Sequence, residues 1–133
     1  MKKLLLAGIA ALLMATSAAH AAEPSFEAVS QCFFIDGAVF EAAKKTMHNE
    51  LFQFAKSRLS WVAGYMQANK SNGAFVKAFE DNLMTNKRYA WELDKLLTKA
   101  IQTKDQSSYL TVTALILACD YQIGIKTQDI PKL

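Results

Sequence analysis

The chain has 133 residues, of which 52% are hydrophobic and 20% charged, with 15 basic and 12 acidic side chains. That length suits one domain with a real core and is too short for two. So even a charge balance gives no electrostatic reason to expect nucleic acid or an anionic membrane surface as a partner.

Lys2 and Lys3 precede an uncharged apolar run from Leu4 to Ala15, and small residues lead on to Ala19-His20-Ala21. A basic start, a short apolar core and an Ala-x-Ala end, in that order, mark a secretory signal peptide cleaved before Ala22. The run holds 12 residues, whereas about 20 are needed to cross a bilayer. No cysteine adjoins the cleavage site to carry a lipid. Residues 1–21 are therefore expected to be removed, leaving 22–133 as a single domain in the periplasm, with no membrane span after cleavage. Loss of Lys2 and Lys3 takes fifteen basic residues to thirteen against twelve acidic ones, which flattens the charge further.

The only prolines, Pro24 and Pro131, stand at the two ends of the remaining chain, so long helices are free to form between them. In the first, Ser25 is placed to cap and Glu27 lies in the first turn, where a carboxylate complements the helix dipole. Phe26, Val29, Phe33, Gly37, Phe40 and Ala43 recur at three- and four-residue spacing, with Cys32 and Val39 widening the stripe. The pattern falters at Thr46-Met47-His48-Asn49, where Asn49 is a candidate cap for a second helix carrying Leu51, Ala55, Leu59, Val62 and Met66. Whether these two helices are separate or one bent rod stays open from spacing alone. Asn69-Lys70-Ser71-Asn72-Gly73 is a polar turn.

Val76, Phe79, Leu83, Asn86, Ala90, Leu93, Leu97 and Ala100 then form an unbroken seam. A break near Met84, with Thr85 or Asn86 as cap, is preferred to a single rod of about 28 residues in so small a domain. A polar connector, Thr103 to Ser108, leads into SYLTVTALILACDYQI, the most apolar stretch after the leader. Leu110, Val112 and Ala114 alternate like a strand, but the apolar run continues for about four helical turns and finds no strand partner, so a helix is expected. This segment is expected to be the wall against which the rest packs, ending at Gly124 with a loosely ordered tail beyond. The sum is an all-α fold, a small antiparallel bundle of four or five helices. In an oxidising compartment Cys32 and Cys119 are expected to pair, joining the first helix to the last.

Catalytic patterns are scarce. Outside the leader His48 is the only histidine, so any nucleophile–histidine pair must use it. The cysteines lack metal-site or haem-attachment spacing, and no phosphate loop or nucleophile elbow is present. Haem held by His48 with Met47, Met66 or Met84 is weighed against core filling by methionine, and core filling is the better reading. No cofactor or metal is expected. Asp36 and Asp120 lie on apolar stripes, where a desolvated acid would titrate high. Trp61, Tyr65, Tyr89, Trp91 and Tyr109 are amphipathic aromatics of the kind enriched where proteins dock, and Lys87-Arg88-Tyr89 with Trp91 adds cations.

These features favour a secreted periplasmic, non-enzymatic protein-binding domain of inhibitor or immunity type, with Trp61, Tyr65, Lys87, Arg88, Tyr89 and Trp91 as candidate contacts and another periplasmic protein as partner. The alternative is an acid or envelope-stress chaperone loosened by charge repulsion at low pH. A third reading is an enzyme using Asp36, Asp120 and His48.

Overall fold

In the computed structural model, residues 24–126 and 128–133 are described. The expected leader at 1–21, with its cleavage site before Ala22, lies outside them. Five helices follow one another among the described residues: α1 Phe26–Lys45, α2 Asn49–Ala68, α3 Gly73–Asp81, α4 Leu83–Thr103 and α5 Gln106–Ile123. The fold is all-helical, and the Cys32–Cys119 disulfide joins the first helix to the last with Cα atoms 5.6 Å apart.

Local side chains set most boundaries. Ser25 Oγ accepts from Ala28 N–H at 3.1 Å to open α1, and Asp105 Oδ1 accepts from Ser108 N–H at 3.1 Å to open α5. Helices α1 and α2 are separate, because Met47 takes a left-handed φ of 58° between them. The cap of α2 is His48, whose Nδ1 accepts from Leu51 N–H at 3.3 Å, in place of the expected Asn49. Asn72 caps α3 through Oδ1. The break between α3 and α4 falls at Asn82, earlier than the expected Thr85 or Asn86. Asn82 Nδ2 donates to Ala78 C=O at 2.8 Å and so closes α3 on itself. Asn86 is instead interior to α4 and buried, donating to Ser30 Oγ on α1 at 3.2 Å. Its place in the apolar seam is explained by a polar tie between helices. Gly124, at φ 79°, ends α5 in the left-handed conformation that glycine adopts without strain.

The central element is α1, not α5. It packs against all four other helices, chiefly α2 and α4, while α5 packs on α1 and α4. α1 is central because its small buried residues, Ala28, Ser30, Cys32, Ala38, Ala42 and Ala43, let neighbours approach on several sides. Val29, Ile35, Val39, Leu51, Val62, Leu93, Leu97, Val112 and Ile116 fill the space between them. The tail is not loose. Ile125, Ile130 and Leu133 pack against the core, the Tyr109 hydroxyl donates to the Pro131 carbonyl, and His48 Nε2 bonds the Lys132 carbonyl at 2.9 Å. No described helix is long and apolar enough to cross a membrane.

Candidate functional site

Two places on α1 hold chemistry that a simple bundle does not need. One is interior. Asp36 on α1 and Asp120 on α5 are both fully buried, and Arg58 on α2 is nearly so. Arg58 donates to Asp120 Oδ2 through Nε at 3.3 Å and Nη2 at 3.2 Å. Its Nη1 reaches Ser57 Oγ at 2.9 Å and Gln128 Oε1 in the tail at 3.3 Å. The guanidinium also lies 3.7 Å over the Phe54 ring, so its apolar surroundings are partly repaid by a cation–π contact. Neither oxygen of Asp36, nor Oδ1 of Asp120, has a hydrogen-bond partner.

Two carboxylates facing one cation in a dry interior cannot both ionise cheaply. Burial, and then the charge of Asp120, push Asp36 well above the usual carboxylate range, with Arg58 pulling the other way. Burial also raises Asp120, opposed by the charge and hydrogen bonds of Arg58. The best assignment is a protonated Asp36 beside an Arg58–Asp120 ion pair. With both acids fully buried, the protonation of this centre enters directly into the stability of the fold.

His48 is elsewhere. Its ring stacks on Tyr109 with centroids 6.2 Å apart, and eleven residues of α5, about 16 Å, separate Tyr109 from Asp120. Asp36 and Asp120 are brought together and His48 is not. Both imidazole nitrogens are engaged, one capping α2 and one holding the tail, while Met47 and Met84 point to solvent. No cluster of three or more metal-ligating side chains occurs among the described residues. A recess of about 820 Å³ lies between the α1–α2 turn, from Thr46 to Glu50, and the tail, from Asp129 to Leu133.

The second place is on the surface. Phe33, Phe34, Gly37 and Phe40 of α1 form the floor of a groove flanked by Leu59 of α2 and by Ala90 and Trp91 of α4, about 340 Å³ in volume. Phe33 is shared with a second hollow of about 380 Å³, lined by Ala63 and Met66 of α2 and by Phe75, Val76 and Phe79 of α3. The two adjoin at Phe33, and the first is the aromatic trough. It exists because α2 and α4 pack mainly on α1 and hardly on each other, leaving one side of α1 uncovered. Its rings brace one another: Phe34 stacks on Phe79 at 5.8 Å, Phe33 meets Phe34 edge-on at 5.2 Å, and Phe40 lies 4.6 Å from Phe52. Gly37 keeps the floor open, since a Cβ there would meet nothing within 4 Å. At the rim Glu41 is exposed, and Asp94 accepts a 2.7 Å ion pair from Lys45.

The expected contact residues divide between surfaces. Trp91, 59% exposed, stands at the lip of the trough with Lys95 Nζ 4.0 Å over its ring. Lys87 and Arg88 are exposed on the same helix, whereas Tyr89 packs against the core. Trp61 stacks on Tyr65 at 5.9 Å, but two residues from Leu59 put Trp61 on the opposite side of α2 from the trough. Phe33 and Phe40, expected on the apolar stripe of α1, do pack against the core, but each is only partly buried and also lines the groove, which spacing alone does not mark as a site. Comparison with known proteins finds no matching family model, curated protein or solved structure.

Proposed function

We propose that this chain is an exported, non-enzymatic protein-binding domain, of the inhibitor or immunity type, acting on another periplasmic protein. The observation that carries this reading is the aromatic trough over α1, a preformed concave surface floored by Phe33, Phe34 and Phe40 with Trp91 at its lip. Pre-braced rings lose little freedom on binding, and aromatic anchors in such pockets dominate protein interfaces. The leader-like start of the chain and the disulfide are consistent with an oxidising compartment.

The acid-chaperone alternative draws less support. Buried acids with raised pKa values favour the folded state as pH falls, the reverse of an acid-triggered opening at this centre. The enzymatic alternative rests on Asp36, Asp120 and His48, and it draws less support because the two acids meet in the interior while His48 stands apart from them, capping α2 and holding the tail. The test is native capture from periplasmic extract with wild type and Gly37→Leu in parallel. A stoichiometric protein retained by wild type and lost by G37L is the expected result. Recovery of the same protein by both, or of none by either, would sink the proposal.

A further inference from the structure

The outward side of α5 carries a different, independent signal. Most of this helix's circumference is apolar, yet Leu110 and Tyr121 are each 54% exposed, Ala114 is exposed and Leu117 is half-buried. Positions 110, 114, 117 and 121 step by four, three and four, the spacing of a helix–helix seam. Across its 18 residues α5 has one charged side chain, Asp120, and that is buried. A solvated helix face normally carries Lys or Glu for solubility; this one carries none.

We infer that α5 is the contact face of a two-fold dimer of this chain. The face is self-complementary about its own midpoint. In an antiparallel pairing centred between Ala114 and Leu117, each Leu117 lies over the small Ala114 of the second copy, and each Leu110 meets Tyr121. Large residues face small ones near the axis, as close helix packing requires. The absence of charge means that nothing repels when two identical faces meet. Leu110, Ala114 and Leu117 of the seam also line a trough of about 440 Å³ between α5 and the tail, banked by Ile130 and Pro131. Its exposed Asp129 and Lys132 are of opposite sign, so the bank too meets its copy without net repulsion. Cys32, which ties α5 to α1, lies about 140° around α1 from Gly37, so the dimer leaves both aromatic troughs open.

Two helices of about 27 Å with one flanking bank make a contact at the small end for stable dimers, and micromolar affinity is expected. Sedimentation velocity of the disulfide-bonded protein from about 1 μM to 1 mM should show the average mass rising from one chain to two. Ala114→Glu and Leu110→Glu change exposed positions, and circular dichroism and the thermal midpoint verify that both fold. Each should weaken dimerisation at least about ten-fold by placing a carboxylate in an apolar contact. Mixing A114E with A114K chains should restore a dimer, because the two positions lie near the axis. Trp91→Glu, on the aromatic trough, should leave the dimer intact. A monomer at every concentration overturns the inference. So does a dimer abolished by W91E but indifferent to A114E, growth beyond two chains, or a monomer that instead sediments with phospholipid vesicles.

Discussion

On the side of α1 that carries Cys32, Ile35, Asp36 and Val39, every side chain is covered, and even a carboxyl group is sealed in without a hydrogen bond. Around the helix from there, Phe33, Phe34 and Phe40 remain half-exposed about a glycine. The two sides are interleaved in sequence and both rich in large side chains, so composition does not separate them. What separates them is who the neighbours are. The closed side faces α5, held by a disulfide, while the open side faces the gap between α2 and α4, which do not close over it. The closed side tolerates a costly acid because a covalent link and packing hold it. The open side keeps aromatic surface that stability alone would have covered.

The largest blow to the closed side is loss of its staple. Replacing Cys32 and Cys119 with alanine together should cost about 4–5 kcal/mol, the chain-entropy value for a link across 87 residues. That approaches the whole stability of a small domain. Urea unfolding of the double variant reads it, and a loss below about 1 kcal/mol would mean that packing alone holds the two helices. Next comes Arg58→Met, which fills similar volume but leaves Asp36 and Asp120 with no cation. At neutral pH it should cost about 3–5 kcal/mol. The deficit should shrink in acid, where both carboxyls become neutral, so melting curves across pH separate it from a simple packing defect.

The open side should respond in the opposite way. Gly37→Leu puts a side chain into empty space and replaces a mid-helix glycine, so stability should hold or rise by up to about 1 kcal/mol. Binding of a captured partner should weaken at least ten-fold, about 1.4 kcal/mol. Trp91→Ala should cost about 2 kcal/mol of binding and within about 0.5 kcal/mol of stability. If either variant unfolds the protein, the trough is core and the contrast between the two sides fails.

The contrast was only half legible in the sequence. Ser25 as a cap, the polar clusters that hold Asn72 and Asp105 and the stop at Gly124 marked helix ends, because they act through bonds to near neighbours, whereas the expected caps Asn49 and Thr85 or Asn86 missed by one to four residues. Cys32 and Cys119 were legible as a pair because a leader-like start leads one to expect an oxidising compartment, and two cysteines leave one pairing. Three- and four-residue spacing, however, reports only that a stripe is apolar, not whether another helix covers it. Phe33, Gly37 and Phe40 do lie on the apolar stripe that spacing marks, and Phe33 and Phe40 touch the core, but spacing does not tell that part of each stays open to a groove. Arg58 shows the converse. It lies seven residues after Leu51 and four before Val62, squarely on the buried side of α2, yet a lone cation on a stripe gives no sign of the acids waiting on two other helices. Centrality was misplaced too: α5 is the more apolar segment, but small residues along α1 let more neighbours reach it.

The smallest expected effect is also the one that tests how the closed side is charged. Asp36 has a folded-state pKa raised above its unfolded value, so the native state binds the proton more tightly than the unfolded chain does. Stability from this group is fully present below the ordinary carboxylate range and is lost as pH rises towards the folded value. Asp120 contributes in the same sense, reduced by Arg58. Asp36→Asn keeps the shape and removes the titration. Its stability should equal or exceed wild type at neutral pH, and its dependence on pH above about 4 should be flatter. Denaturant midpoints at a series of pH values give both slopes. A D36N protein less stable at neutral pH, or one with an undiminished slope, would mean that Asp36 is ionised and paired in the native state, and the closed side would then be held by two salt links to Arg58 instead of one.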